Sequence, residues 1–314
     1  MLHFYTKHMN NAIVFVCLYY VIDIFLLFLT FYFKSLNKWA LHGKNLFLKI
    51  EKDEEPYNTK LYKFKSIFDN FIISKTYFSH FYIIGLLINS IIVFQDFQYK
   101  LKNQQNVYYH ICLTNLIFEI HLLRRFFEQL FLVRTTTKSF MHISSYLLGI
   151  SFYIITPFSL YNKEKINYNW SIISPLLLFI FGNIIQAQIK KNKNKYYIYI
   201  YIYIYIYIYI YAYICFDSHL RLARLRPKGI KKSDTFYKVP YGGFFHFVSC
   251  PHYFAEILIY FSFFLLNKNI TCSLNFLLVS LILIKNGILT HEWYLKVLAD
   301  TYPKNRKIIF PYIL

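Results

Sequence analysis

Apolar residues in this chain fall in long unbroken blocks rather than in the 3.6-residue stripes of a soluble helix. A helix needs roughly 17–25 such residues to cross a bilayer. Seven blocks qualify, at approximately 12–33, 78–96, 107–123, 140–161, 170–187, 253–266 and 271–290. The sixth is short, and its helix is expected to begin a few residues earlier, near Pro251. The pattern predicts a single-domain, all-α integral membrane protein with seven transmembrane helices.

The polar positions between the blocks orient them. Nine lysines follow the first block, four basic residues the third, eleven the fifth, and four more lie in the C-terminal tail, so these segments hold 28 of the 35 Lys and Arg. The even-numbered loops hold only Lys100, Lys102, Lys163, Lys165 and Lys268. By the positive-inside rule the odd loops and the C-terminus are cytosolic and the N-terminus is luminal. The first block is too long for a signal-peptide core and no small-residue cleavage site follows it, so it is read as a retained anchor.

Composition agrees with a bilayer as solvent. The chain is 57% hydrophobic and 16% charged, with a mean hydropathy of +0.34, whereas soluble domains are nearer a quarter charged. A net charge of +20 invites a nucleic-acid reading, but the basic residues sit in loops between apolar blocks, which topology explains without nucleic acid. The five cysteines are scattered with no CxxC pair, which suggests neither a disulfide framework nor a metal site.

One segment departs from the pattern. Tyr and Ile alternate strictly from Tyr197 to Tyr211, inside a low-complexity stretch at 189–216. Both faces of such a strand are apolar, so it specifies no register and is aggregation-prone. Its flanks, KKNKNK and HLRLARLRPKGIKK, are both strongly basic and belong on one side of a membrane, which argues against a span. Alternating TAT and ATA codons spell this peptide, so the tract reads as an expanded microsatellite or a retained intron, dispensable for function.

No GxGxxG, P-loop, HExxH or GxSxG occurs, so soluble cofactor folds and common hydrolases gain no support. Candidate chemistry lies near the cytosolic ends of the helices. In FYKVPYGGFFHFVSCPHYFAEILIY, 236–260, Pro240 and Gly242-Gly243 make a turn where backbone can approach a ligand closely. His252 and Glu256 follow, four apart on one helix face, and an ionisable group at a membrane boundary is by default a site candidate. LTHEWYLKVLADTYPKNRKIIFPYIL, 289–314, offers His291, Tyr294 and a basic cluster around Arg306, suited to anionic lipid head groups or to a specific phosphate. In HLLRRFFE, 121–128, His121, Arg125 and Glu128 share a helix face while Arg124 points elsewhere.

Taken together these stretches resemble the steroid 5-alpha-reductase family. The first looks like its Tyr-x-(Ile/Val)-Pro-x-Gly-Gly…Val-Ser…Glu block, and the tail like its His-x-aromatic-Tyr…Tyr-Pro-Lys-x-Arg-Lys ending. KTYFSHFYIIGLLIN at 75–89 and HLLRRFFE are similar to the dolichol-pathway branch rather than to the steroid-reducing one. The resemblance implies an endoplasmic-reticulum reductase that uses NADPH on the alpha-isoprene double bond of a polyprenol or polyprenal. Its partners would be a long-chain isoprenoid lipid and membrane lipids, with no metal and no nucleic acid. The implied cofactor contacts are Arg125, Gln186, His219, Arg226, Tyr237, His252, Glu256, His291, Tyr294 and Arg306, most within a C-terminal cofactor region at 236–314. If so, the Tyr-Ile tract separates Gln186 from His219 and Arg226 within one cofactor-binding element.

There are departures. His252 stands where several relatives place Asn. The tyrosine that polarises the carbonyl in steroid-reducing members matches Leu122, which cannot donate, and its acidic partner matches Lys38. The acid is therefore not carried over; by location alone His121 or Tyr294 is read as the oxyanion donor, with Glu256 beside them as a catalytic candidate. Hydride adds to an alkene only where the developing carbanion has a sink, and a conjugated aldehyde supplies one where an allylic alcohol does not. The substrate is accordingly expected to be the polyprenal. A steroid or enoyl-thioester reductase of the same family, an S-adenosylmethionine-dependent membrane methyltransferase and a non-catalytic scaffold remain as alternatives.

Sequencing of the mature transcript tests the tract. The intron reading predicts a spliced message that lacks these codons; full-length protein carrying the tract would rule it out.

Overall fold

The computed structural model describes residues 2–33, 36, 37, 40, 71–102, 113–133, 139–161, 211, 213–225 and 237–313. The predicted fifth block at 170–187, Gln186, Arg226 and nearly all of the Tyr-Ile tract lie outside them. Six long helices occupy the described residues, each built on one of the apolar blocks. They are α1 (Leu2–Tyr32), α2 (Phe78–Lys102), α3 (Leu113–Phe127), α4 (Ile143–Leu160), α5 (Pro251–Asn267) and α6 (Ile270–Val297). Among the described residues four stretches are long and apolar enough to cross a membrane: Asn11–Tyr32, Lys75–Tyr99, Ile143–Leu160 and Ile270–Val297. The protein is thus a mostly helical, multi-pass membrane protein. At a rise of about 1.5 Å per residue, α3 and α5 reach only about 22 and 25 Å.

Helix ends differ from the block edges for local reasons. Pro251 takes the first turn of α5, where its missing N–H costs nothing, as the sequence suggested. The fourth block does not open as helix. Phe140–His142 form strand β2, which pairs antiparallel with β1, Ile72–Ser74, in the register Ile72↔His142, Ile73↔Met141 and Ser74↔Phe140. His142 then caps α4 by accepting from the Ser144 amide at 3.2 Å. The ribbon brings the starts of α2 and α4 to one side of the bundle, as the charge bias requires of the first and third loops. α3 ends in a single π-helical turn, Glu128–Leu132, that carries the chain past the block.

Inside a bilayer an orphan backbone carbonyl finds no water, so a helix end needs side-chain partners. The last turn of α4 shows how completely this is met. Asn115 of α3 donates to the Pro157 carbonyl at 2.9 Å, and the Tyr161 amide to that of Phe158 at 3.3 Å. Thr271 of α6 donates to the Ser159 carbonyl at 3.0 Å, and Asn267 of α5 to that of Leu160. Three neighbouring helices therefore lock onto one helix terminus. Side-chain hydroxyls extend the lock. Tyr20 of α1 donates to Ser159 Oγ at 3.1 Å, and Asn275 of α6 reaches the same oxygen at 3.1 Å. On the opposite side of α1, Phe15, Leu18, Val21 and Phe25 are exposed, as lipid-facing side chains should be.

The apolar core between the helices gathers Ile117, Phe118 and Leu122 of α3 with Tyr82 of α2 and Ile259, Tyr260 and Phe263 of α5. Its aromatic edges interlock; the Phe118 and Phe263 rings meet edge-on at 5.8 Å.

Replacing Asn267 with Leu removes the donor to the Leu160 carbonyl inside an apolar setting. The expected loss is about 1–3 kcal/mol, read as a lower thermal midpoint in detergent. An unchanged midpoint would contradict the locking role.

Candidate active site

The buried ends of α3 and α5 and the helical stretch 213–224 meet in a cluster of ionisable groups. Three consecutive turns of α3 supply His121, Arg124, Arg125 and, one residue into the π turn, Glu128. Glu128 is only 2% exposed and would be untenable as an isolated carboxylate, so its partners are decisive. Arg125 Nη1 lies 2.7 Å from its Oε2, Arg124 Nη1 contacts Oε1, and His219 Nδ1 of the 213–224 helix lies 3.1 Å from Oε2. Burial alone would raise the Glu128 pKa; the His219 hydrogen bond and the two guanidiniums outweigh it and hold the carboxyl at about 2. Burial likewise works against a charged His219. The neighbouring Cys215 and the hydrogen bond to Glu128 outweigh it, raising His219 to about 9.

Glu256, one turn into α5, sits on the same cluster. Its Oε1 is 3.2 Å from His121 Nε2, an ion-pair distance without hydrogen-bond geometry, and its Oε2 is 3.8 Å from Arg124 Nη2. Cys215 donates from Sγ to Glu256 Oε2 at 3.6 Å. Arg124 Nη2 also lies 3.3 Å from His121 Nδ1, which must then accept and leaves the His121 proton on the nitrogen that faces Glu256. His252 joins through its ring, 5.2 Å from that of His219. Arg124 therefore does not point elsewhere, as the helix face suggested. It stands four residues before Glu128, and its long side chain reaches both carboxylates.

A second cluster forms where the tail folds back on α6. The Lys307 amide donates to the Phe247 carbonyl at 3.0 Å, and the Ser249 and Cys250 amides donate to the Lys307 and Ile308 carbonyls at 2.8 and 3.0 Å. Gly287 permits this packing, since a Cβ there would meet Ile309 Cδ1 at 2.5 Å. The tail places Tyr302 flat against Tyr294, with ring centroids 5.0 Å apart, and Tyr237 edge-on to Trp293 at 4.7 Å. Ser249 Oγ gathers the Tyr302 hydroxyl and His291 Nδ1, each at 2.6 Å. Arg306 is 4% exposed, donates to the Pro240 carbonyl at 3.1 Å and lies over the Tyr241 and Tyr302 rings. Its Nε has no partner among the described residues, and no carboxylate there pairs with the guanidinium.

The implied site residues thus divide between two neighbouring lobes. His121, Arg125, His219, His252 and Glu256 share the helix-end lobe, and Tyr237, His291, Tyr294 and Arg306 share the tail lobe. Tyr253, beside His252 on α5, hydrogen-bonds Thr290, beside His291 on α6, and so ties the lobes together. Gly242 and Gly243, with φ of 87° and 53°, do make the expected turn. What the turn approaches is Arg221: a Cβ on Gly242 would lie 2.1 Å from its Nη1. Asp217 pairs with Arg221 at 2.7 Å, so the glycines dock the 237–243 segment on the 213–224 helix. Sequence reasoning missed Arg124, Cys215 and Tyr82. Only the i, i+4 spacing of Arg124 to Glu128 offered a signal.

Glu128, Cys215 and His219 bring potential ligand atoms within 4.8 Å of one another. Two guanidiniums already neutralise that carboxylate, and a dication would have to sit beside them. The charge balance favours the ion pairs.

Residues 165–314 match the 3-oxo-5-alpha-steroid 4-dehydrogenase family. The chain is 26% identical to the polyprenal reductase of Danio rerio over 308 residues, covering 85% of this chain and 86% of that protein. It is 25% identical to polyprenal reductase 1 of Arabidopsis thaliana over 268 residues, covering 77% and 82%. A shorter stretch, 27% of this chain and 33% of the relative, is 40% identical to the steroid 5-alpha-reductase DET2 of Gossypium hirsutum. Both lobes thus lie in a chain whose residues 165–314 match that family and which, over most of its length, is similar to proteins named polyprenal reductases.

Proposed function

We propose that this protein uses NADPH to reduce the double bond conjugated to the aldehyde of a long-chain polyprenal. The reaction would yield dolichal in the endoplasmic-reticulum membrane and serve dolichol synthesis and protein N-glycosylation. The observation that carries the reading is similarity, over most of both chains, to proteins named polyprenal reductases. Chemistry agrees with it. The relatives named for a polyprenal and for an enoyl-CoA share one reacting unit, an alkene next to a carbonyl. An allylic alcohol lacks that sink.

The residues fit a phosphorylated dinucleotide. Arg306 is buried, fixed by a carbonyl and two aromatic faces, and has no anionic partner among the described residues. It would hold a phosphate as a charge-assisted donor. Tyr237, Trp293 and Tyr294 present aromatic surface beside it. When bound, the reduced nicotinamide supplies hydride. The helix-end lobe supplies orientation: Arg124 and His121 fix Glu256, and Glu128 fixes Arg125 and His219. All are held by partners already in place, which is the preorganisation that catalysis in a low-dielectric site requires. The aromatic core beneath the lobe excludes water and receives the isoprenoid adjacent to the head group.

Purified protein with NADPH is expected to saturate polyprenal and to leave polyprenol unchanged unless aldehyde forms first. Turnover of polyprenol with no trace of aldehyde would overturn the reading. Glu256→Gln leaves His121 and Arg124 without their carboxylate and should lower activity at least tenfold; in reductase-deficient cells it should fail to restore dolichol where the wild type succeeds. Loss of the Arg306 charge in Arg306→Gln should weaken NADPH roughly 10- to 100-fold in a fluorescence titration, from the 1.5–3 kcal/mol typical of a hydrogen bond to a charged group. Undiminished affinity would remove Arg306 from the site.

A further inference from the structure

The interface between the ionic lobe and the apolar core carries a phenol with an unusual hydrogen-bond balance. Tyr82 lies one turn into α2 and is 4% exposed. Arg125 Nη2 donates to its hydroxyl oxygen at 3.1 Å, and the guanidinium carbon sits 5.5 Å from its ring centre. A guanidinium only donates, so Arg125 occupies the Tyr82 oxygen and leaves the Tyr82 proton to find an acceptor. Among the described residues no hydrogen bond uses that proton. A buried hydroxyl whose donor has no acceptor is costly and calls for explanation.

The surroundings say what kind of acceptor fits. The ring packs edge-on against Tyr153 of α4, with centroids 5.4 Å apart, and the residue belongs to the apolar core with Leu122 and Phe263. At Gly85, one turn along α2, an added Cβ would meet Tyr153 and Leu122 at 3.1 and 3.2 Å, so the walls here are hydrocarbon and ring. Tyr82 is therefore a polar atom where the ionic lobe gives way to hydrocarbon. An apolar chain lying in the core with an oxygen at its tip would present that oxygen to it. Arg125 is itself fixed by Glu128, so the hydroxyl is held from behind by a rigid cation that strengthens it as a donor.

We infer that Tyr82 is the hydrogen-bond donor that meets the substrate carbonyl oxygen, with Arg125 as the positioning residue behind it. The inference rests on the polyprenal reading. Hydride from the reduced dinucleotide forms the new C–H bond at the β carbon, and the alkene electron pair moves toward the carbonyl oxygen. Tyr82 stabilises that oxygen through its O–H without losing the proton. A proton from water then adds at the α carbon as the carbonyl re-forms. The dinucleotide is oxidised by two electrons and the alkene is reduced by the same two. His121 is less suited to the part, because its proton already faces Glu256.

The test compares wild type with Tyr82→Phe in the full-length protein. Polyprenal labelled with 13C at the carbonyl is bound in the presence of oxidised dinucleotide, so that no turnover occurs, and the carbonyl stretch is read by infrared difference spectroscopy. Wild type should shift it to lower wavenumber and Tyr82→Phe should not, while dinucleotide affinity stays within threefold. With NADPH, kcat should fall about 10²–10³-fold, the range for loss of one oxyanion donor. An unshifted wild-type carbonyl, or a Tyr82→Phe enzyme with kcat within threefold of wild type, overturns the assignment. If Tyr82→Phe loses dinucleotide binding, difluorotyrosine at position 82 decides: a stronger donor must deepen the carbonyl shift, and an unchanged shift overturns the proposal. A wild-type protein that does not reduce polyprenal at all sinks the functional reading and this assignment together, whereas an active wild type with an active Tyr82→Phe sinks the assignment alone.

Discussion

One buried and one largely buried carboxylate, at helix ends beside a bilayer, must be neutralised in place, and that requirement organises this part of the molecule. Glu128, in the turn that ends α3, and Glu256 of α5 are tied to Arg124, Arg125 and His121 of α3 and to His219 of the 213–224 helix. Breaking such a network strands charge in a medium that cannot solvate it, at a cost of about 3–5 kcal/mol per lost partner. The elements that carry these residues are therefore held in one relative arrangement. The same arrangement fixes the Arg125 guanidinium against Tyr82 and so sets the boundary between ionic lobe and apolar core.

At the opposite end of α4 the solution is different because the groups are neutral. Orphan carbonyls are met by Asn115, Thr271 and Asn267 rather than by ions. The protein thus uses amides and hydroxyls to lock one end of its bundle and ion pairs to assemble the other. Ion pairs suit an end proposed to hold a charged dinucleotide, since their donors and acceptors are already oriented before any ligand binds. Arg306 extends the same logic into the tail. A cation fixed on two aromatic faces, with no carboxylate partner among the described residues, suits the anion that the proposed ligand would bring.

Much of this was legible in the sequence, for physical reasons that can be named. Block length is a strong signal in a bilayer protein, and five of the seven blocks overlap described helices, although α1 begins ten residues before its block and α2 and α6 run six and seven residues past theirs. A sixth, at 253–266, is found two residues earlier, starting at Pro251. Glu256 stood out because a carboxylate in an apolar run is expensive, and His121, Arg125 and Glu128 because i+3 and i+4 spacing juxtaposes side chains. The β1–β2 ribbon was not readable, since three residues in each strand leave no period to detect. Arg124 was placed on the wrong face because a helix wheel ignores the reach of an arginine. Tyr82 was invisible for another reason. Its proposed role comes from a contact across 43 residues, in a chain where tyrosine is too common for any one to attract notice. Gly242-Gly243 was read correctly as a turn, but its close neighbour proved to be Arg221 rather than a ligand.

The two lobes are proposed to hold a reduced nicotinamide against the β carbon of a conjugated alkene. The most direct measurement is the fate of deuterium carried at C4 of the nicotinamide. The arrangement predicts that one diastereomer of the labelled cofactor delivers its deuterium to the β carbon of the saturated product, and that the α-carbon hydrogen comes from solvent. Deuterium at the α carbon, or a product labelled only from deuterated water, would contradict it.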